Sequence, residues 1–314
     1  MSIPTKMRAA RIHRYGGPEV LEVEEIAVPA LSSGEVLVEV LAASVNGADL
    51  ELRRSGFDGY FDPPRTLGID LCGTVRAAAD DVECLAVGDR VHGRRSSAAR
   101  GTYSTYAAVD ADDLVVVPDG LDDVVAAAVP VVGLAAWQSV IEVGRATPGE
   151  RVLIHGAGGG VGYLAAQFAR HQGAHVIASD VAEAHPLLHR AGITETYDFR
   201  ETDVIAAAGT VDVVIDPVGG PVTDASLGAL GAGGRLVSLA GSPDEDAARR
   251  RGASATTIDS WMDRDHLVRI DELLLSGEVD IEVAEVVPFE QARRAHELAE
   301  SGGVPGKIVL KMTP

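Results

Sequence analysis

The stretch Arg151–Asp180, RVLIHGAGGGVGYLAAQFARHQGAHVIASD, constrains the fold more than any other part of this chain. An apolar run, Arg151–Ile154, leads into a glycine cluster at Gly156–Gly162. A helix-compatible run follows to Gln172, the chain turns at Gly173, and a second apolar run covers Ala174–Ala178. That order spells one βαβ unit. Within the cluster, Ala157, Gly159 and Gly162 stand at the spacing of a dinucleotide fingerprint, with alanine in the first place. Glycines there let backbone amides approach a pyrophosphate and let the helix pack closely on the strand, while the helix N-terminus favours the anion. The backbone of Ala157, Gly158, Gly159, Gly160, Val161 and Gly162 is therefore the expected cradle. Asp180 ends the second strand, where a carboxylate can accept hydrogen bonds from an adenosine ribose.

The alternation continues downstream. Helices are expected around Pro186–Ala191, Thr202–Ala208 and Val222–Gly231, and strands around Thr196–Phe199, Val211–Ile215 and Arg235–Leu239. Such spacing specifies a doubly wound parallel sheet of Rossmann type, with ligand beyond the carboxyl ends of the strands, near Val218 and Ala240. The polar run SPDEDAARRRGASA after Gly241 reads as a surface connection or solvated helix, Asp265–Leu275 and Phe289–Glu300 as helices, and Gly306–Lys311 as a last strand rejoining the first domain.

Upstream, residues 1 to 120 are β-rich. Strands are expected at Met7–Ile12, Leu21–Ile26, Val36–Val40, Leu71–Arg76, Arg90–His92, Tyr103–Val109 and Leu114–Val117, with glycine turns between them, as in a partly open barrel. Asn46–Gly68 reads as an irregular loop carrying polar and aromatic residues together. Leu121–Gly144 reads as helices interrupted at Pro130 and Gly133. The expected division is residues 1–122, a substrate domain; 123–258, a nucleotide domain; and 259–314, a return to the first.

A formal charge of −20 argues against a nucleic-acid partner, since such binding needs basic patches. Cys72 and Cys84 stand alone, so neither a disulfide framework nor a cysteine zinc site is expected. No apolar run approaches the ~20 residues of a membrane span, and the start lacks the apolar segment of a signal peptide, so a cytoplasmic protein is expected.

Several motifs in order, YGGPEVL at Tyr15–Leu21, SVNGAD at Ser44–Asp49, GID through GTV at Gly68–Val75, VGDRV at Val87–Val91, GLAAWQ at Gly133–Gln138, HGAGGGVG at His155–Gly162, DPVGG at Asp216–Gly220 and GKIVL at Gly306–Leu310, carry a resemblance. Over nearly its full length the chain resembles the zinc-independent quinone oxidoreductase branch of the medium-chain dehydrogenase/reductase superfamily, the zeta-crystallin-like proteins. The resemblance implies a GroES-like barrel, a Rossmann-type domain, NAD(P)H in the cleft between them, and a homodimer.

It also locates the absent metal. The zinc-dependent relatives carry a cysteine and a histidine ligand where this chain has Asn46 and Ile69, which supply neither thiolate nor imidazole. Hydride transfer to an already activated acceptor, a quinone or an α,β-unsaturated carbonyl, is the implied chemistry. Asn46 is either a nicotinamide or substrate contact or a loop cap. Asp49 either orients Asn46 or caps the turn that follows, and Tyr60 either donates a proton to a developing enolate or lines an apolar pocket. His13, His92, His155 and His171 show no metal spacing. Asp180 leans the cofactor toward NADH by repelling a 2′-phosphate, and Arg190 or Arg200 can compensate. A redox-neutral enzyme on the same scaffold, or a nucleotide-binding protein without turnover, stays open.

Overall fold

The structure is a computed structural model that describes residues 3–59, 61–96, 100–302 and 305–312. The first half supplies β1 (Lys6–Ile12), β2 (Leu21–Ala27), β3 (Glu35–Ser44), β4 (Arg65–Thr66), β5 (Asp70–Ala78), β6 (Arg90–Arg94), β7 (Tyr106–Asp110) and β8 (Leu114–Val116). These pair as a three-stranded sheet, β2-β1-β4, against a larger sheet in which β3-β5-β6-β8 run antiparallel, with β7 pairing with β3 along Glu35–Glu39. Alternation along β3, where Val36, Val38 and Val40 are buried, aims one face of the sheet into a barrel core shared with Ile12, Leu71, Val91 and Leu114.

The second half is a six-stranded parallel sheet: β9 (Arg151–His155), β10 (His175–Asp180), β11 (Glu195–Asp198), β12 (Val211–Asp216), β13 (Leu230–Ser238) and β14 (Ser254–Thr257). Their spatial order is β11-β10-β9-β12-β13-β14. The order reverses between β9 and β12, and the crevice above that pair is where such sheets bind ligands. The chain then returns through β15 (Val283–Pro288) and β16 (Lys307–Lys311), which pairs antiparallel with β3. The α/β class, the GroES-like barrel and the Rossmann-type sheet are as the sequence led one to expect.

Several elements differ from expectation. Asn46–Gly68 is not irregular throughout, because α1 spans Gly47–Gly59 and ends in a left-handed turn at Gly56, Phe57 and Asp58 (φ 62°, 54° and 58°). Its buried face is Asp49, Leu52, Arg53 and Gly56, so it has no apolar stripe to announce it. Of Leu121–Gly144, α2 (Asp123–Ala128) and α3 (Pro130–Trp137) break only before Pro130, and a π-helical turn, Gln138–Val143, continues α3. Gly133 lies inside α3, where an added Cβ would stand 3.0 Å from Val129 and 3.4 Å from Ile270; it admits a close helix neighbour rather than a break. The helix expected to Gly231 stops at Ser226, and the strand after it begins at Leu230 rather than Arg235. The polar run after Gly241 holds a helix, Glu245–Arg250, and then the edge strand β14, which went unread because SATT lacks an apolar run. Among the described residues no helix is long and apolar enough to cross a membrane.

Candidate active site

The helix α4 (Gly160–His171) begins directly after the glycine turn, with Gly159 at its N-cap and no side chain capping it. Its first amides are thus left for a ligand or solvent. Each glycine of the turn has a different physical reason. A Cβ on Gly162 would lie 2.2 Å from the Gly156 carbonyl oxygen and 2.7 Å from Ala157 Cα, so strand and helix meet only because it is absent. On Gly158 it would meet Ala184 Cβ at 2.5 Å, and on Gly160 it would meet Lys307 Cδ at 2.8 Å. On Gly159 it would find nothing nearer than the Gly156 oxygen at 3.4 Å, an open approach of the kind a pyrophosphate needs. Ala157 and Val161 turn their side chains to the core, leaving only backbone for a ligand.

Asp180 closes this loop. Its carboxylate accepts from Gly158 N at 2.6 Å and from Val181 N at 2.7 Å, half-buried at the end of β10. Arg200, one of the two side chains expected to rescue a 2′-phosphate, is held elsewhere: its guanidinium grips both Asp198 oxygens, the nearer at 2.7 Å, and reaches Glu183 at 2.7 Å. Beside the turn, an apolar cavity of about 250 Å³ is lined by His155, Gly156, Ser179, Phe199, Ile205 and Val218. His155 donates to or accepts from Ser226 Oγ at 2.8 Å, and burial lowers its pKa although Asp216 opposes this. Asp216 accepts from Val218 N and Gly219 N, folding the loop after β12 back. At Gly219 (φ 80°) a Cβ would stand 1.7 Å from Ala240 O, so the loops after β12 and β13 touch there. The uncapped helix, the open approach at Gly159 and this cavity together fit a dinucleotide.

The second centre lies at the end of β3. Asn46 is 5% exposed, and its backbone N–H donates to Asp49 Oδ2 at 3.0 Å, while Asp49 Oδ1 accepts from Gly68 N at 3.1 Å. Asp49 therefore plays the third-residue part of a capping box for α1. It does not orient the Asn46 side chain. That amide is held by two residues to which the sequence reading gave no role: Asn46 Nδ2 donates to Asp70 Oδ2 at 2.9 Å, and Lys307 Nζ donates to Asn46 Oδ1 at 2.6 Å and to Val45 O at 2.7 Å. Asp70 also accepts from Ser44 Oγ at 2.7 Å and, on its other oxygen, from Val131 N at 3.0 Å. Both Asp70 and Lys307 lie inside motifs already singled out, GID and GKIVL; a charged residue against an apolar run was the available signal. Tyr60 lies outside the described residues.

Burial dominates the electrostatics here. It pushes Asp49 up to about 7, with Asp70 adding to the rise and Lys307 and Arg95 opposing it. Asp70 is raised for the same reason and restrained chiefly by Lys307, whose own pKa burial lowers. Arg95, behind Asp49, is brought down to about 10 by burial and donates to the Gly68 carbonyl. Arg94 reaches out of the barrel to Ser260, donating to its carbonyl at 2.7 Å and hydroxyl at 2.6 Å. His13, His92 and His171 are spent on Glu24, on Asp271 with Ala126 O, and on Glu278. Among the described residues no three His, Cys, Asp or Glu side chains converge as a metal site.

Residues 32–119 match the alcohol dehydrogenase GroES-like domain family, and residues 191–310 match the family described as zinc-binding dehydrogenase. The quinone oxidoreductase of Rattus norvegicus is 30% identical over 323 residues, covering 97% of each chain. Among solved structures, the quinone oxidoreductase from Coxiella burnetii superposes with a TM-score of 0.92 at 29% identity, over 98% of this chain and 100% of that one. The Escherichia coli quinone oxidoreductase, solved in complex with NADPH, gives 0.88 at 28% identity, over 97% and 99%. With an uncapped dinucleotide turn, a GroES-like barrel and these relatives, the chain is an oxidoreductase and belongs to the quinone oxidoreductase branch of the medium-chain dehydrogenase/reductase superfamily.

Proposed function

We propose that this protein is an NADH-preferring reductase that transfers hydride to a quinone or an α,β-unsaturated carbonyl compound without zinc. The observation that carries the reading is the Asn46 amide, buried and fixed between Asp70 and Lys307, one lysine side chain away from the dinucleotide turn. Reduced nicotinamide, when bound, supplies the hydride. Addition to a conjugated carbonyl builds negative charge on the acceptor oxygen, and the Asn46 N–H is a pre-oriented donor for it. The Asn46 oxygen is already taken by the Lys307 ammonium, which makes the side chain a poor ligand for a cation. Asp180, pinned by Gly158 N and Val181 N, presents negative charge where a 2′-phosphate would arrive, and Arg200 is neutralised by Asp198 and Glu183.

The test is a panel of quinones and enones assayed with NADH and with NADPH, alongside elemental analysis of protein purified without added metal. The expected result is acceptor-dependent oxidation of NADH, no stoichiometric zinc and no effect of a chelator. A preference for NADPH of about tenfold or more would overturn the NADH assignment, and zinc whose removal stops turnover would overturn the metal-free one. If protein shown to bind a nicotinamide cofactor left it unoxidised with every acceptor of a broad panel, a redox-neutral reaction would replace hydride transfer.

A further inference from the structure

Asn46 is the single asparagine of the chain, and its surroundings decide which way its amide faces. A lysine ammonium can only donate, and an ionised carboxylate can only accept. The amide oxygen therefore belongs to Lys307, at 2.6 Å, and the nitrogen to Asp70, at 2.9 Å. An amide nitrogen carries two protons. With one on Asp70, the other is left for a ligand. Asp70 is itself locked by Ser44 Oγ and Val131 N, so the acceptor cannot swing away.

Lys307 is tied to the nucleotide turn from two sides. The residue before it, Gly306, donates its N–H to Gly158 O at 3.0 Å, and its stem runs so close to Gly160 that a Cβ there would lie 2.8 Å from Lys307 Cδ. One side chain thus spans the distance between the dinucleotide cradle and the Asn46 amide, and it is 4% exposed along the way.

We propose that Lys307 is a positioning residue for hydride transfer: it holds Asn46 in the one orientation that leaves an amide proton free for the acceptor oxygen, and it ties that orientation to the dinucleotide turn. The catalytic part of this inference rests on the reductase reading above; the positioning part rests on the contacts alone. Lys307→Met keeps an unbranched stem beside Gly160 and removes the donor. Lys307→Gln restores a neutral N–H donor on a slightly shorter stem.

Protein labelled with ¹⁵N in asparagine alone should give one side-chain NH₂ pair, with two separated, slowly exchanging protons. Lys307→Met should bring the two resonances together and speed their exchange with water, and Lys307→Gln should recover part of the wild-type pattern. On the best acceptor, Lys307→Met should lower kcat by about tenfold or more while the NADH Kd stays within about threefold, and in an Asn46→Ala background the same change should cost less than about twofold. An unchanged NH₂ pair in Lys307→Met, at a melting temperature near that of the wild type, would overturn the proposal. So would a full, multiplicative loss in the double variant, which would mean that Lys307 acts without Asn46. Should the wild type turn over no acceptor at all, the reductase reading and the catalytic part fall together, and the NH₂ pair alone decides whether Lys307 positions Asn46.

Discussion

Gly159 and Gly162 belong to one motif yet should behave differently when changed. At Gly159 the backbone is extended (φ −77°, ψ 164°), open to any residue, and a methyl group has room in the protein itself. Gly159→Ala should therefore keep stability within about 1 kcal/mol, the scale of an N-cap change. It should nevertheless weaken nucleotide binding by about tenfold or more, because the methyl points into the ligand approach. Gly162→Ala drives a methyl into Gly156 O at 2.2 Å, so strand and helix must separate; it should lose about 1–3 kcal/mol of stability as well as binding. Calorimetric titration and denaturant unfolding of both variants separate the two effects, and an unchanged affinity in Gly159→Ala would rule out the cradle as drawn. The glycine turn was legible because its logic is local: spacing within a few residues fixes the backbone. Asp70 and Lys307 were not, because they acquire their roles from Asn46 across separations of 24 and 261 positions, which no window along the sequence contains. Arg200 is held by a partner on each scale, Asp198 two residues away and Glu183 seventeen away, and only the first lies within a short window of the sequence.

At the scale of elements, the parallel sheet was readable from apolar runs at regular intervals, whereas α1 was hidden by what it buries. Its core contact is Arg53, fully enclosed and donating to Gly16 O at 3.1 Å, to Glu300 and to His296 Nδ1 at 3.3 Å. Glu300 and His296 both stand on the helix Ala292–Ser301, so this one guanidinium joins the segment carrying Asn46 to the C-terminal return. His296 is brought down to about 3 by burial and by the charges of Arg53 and Arg54, which leaves its ring neutral and able to accept. A buried charge that loses its partner costs about 3–5 kcal/mol, and the partial exposure of Glu300 reduces that. Glu300→Ala should thus destabilise by about 2–3 kcal/mol, whereas Glu297→Ala, which breaks an exposed pair with Arg293 on the same helix, should cost no more than about 0.5 kcal/mol. Equal midpoints for the two variants in urea unfolding would show that Arg53 does not bind the two helices together.

Polar contacts between the two halves of the molecule include Val131 N on Asp70, His92 on Asp271, Arg94 on Ser260, and Gly306 on Gly158, beside an apolar cluster that packs Cys72 and Val117 with Ala126 and Leu274. Behind them the barrel fully encloses Asp49 and Asp70, in a protein that already carries a formal charge of −20. This arrangement has a cost that depends on pH. Burial holds the Asp49 pKa up at about 7, above the usual aspartate value of about 3.9 in an unfolded chain. Below about pH 4 both states hold the proton and Asp49 is neutral to stability; as pH rises toward 7 the unfolded chain releases the proton while the folded one retains it, so folding loses stability, and above about 7 the loss is complete and constant. Its upper bound is about 4 kcal/mol, three pKa units at about 1.4 kcal/mol each. Asp70 shifts in the same direction, so a wild-type profile alone does not isolate Asp49. Asp49→Asn does, because it does not titrate; it keeps an acceptor for only one of the Asn46 and Gly68 N–H groups, and the loss of the other bond shifts stability equally at every pH. Unfolding free energies of the two proteins at about pH 4.5, 6 and 8 should diverge, with the variant gaining on the wild type as pH rises by up to about 4 kcal/mol. Parallel profiles across that range would mean that Asp49 is ionised in the folded protein at low pH and that the barrel stabilises its charge.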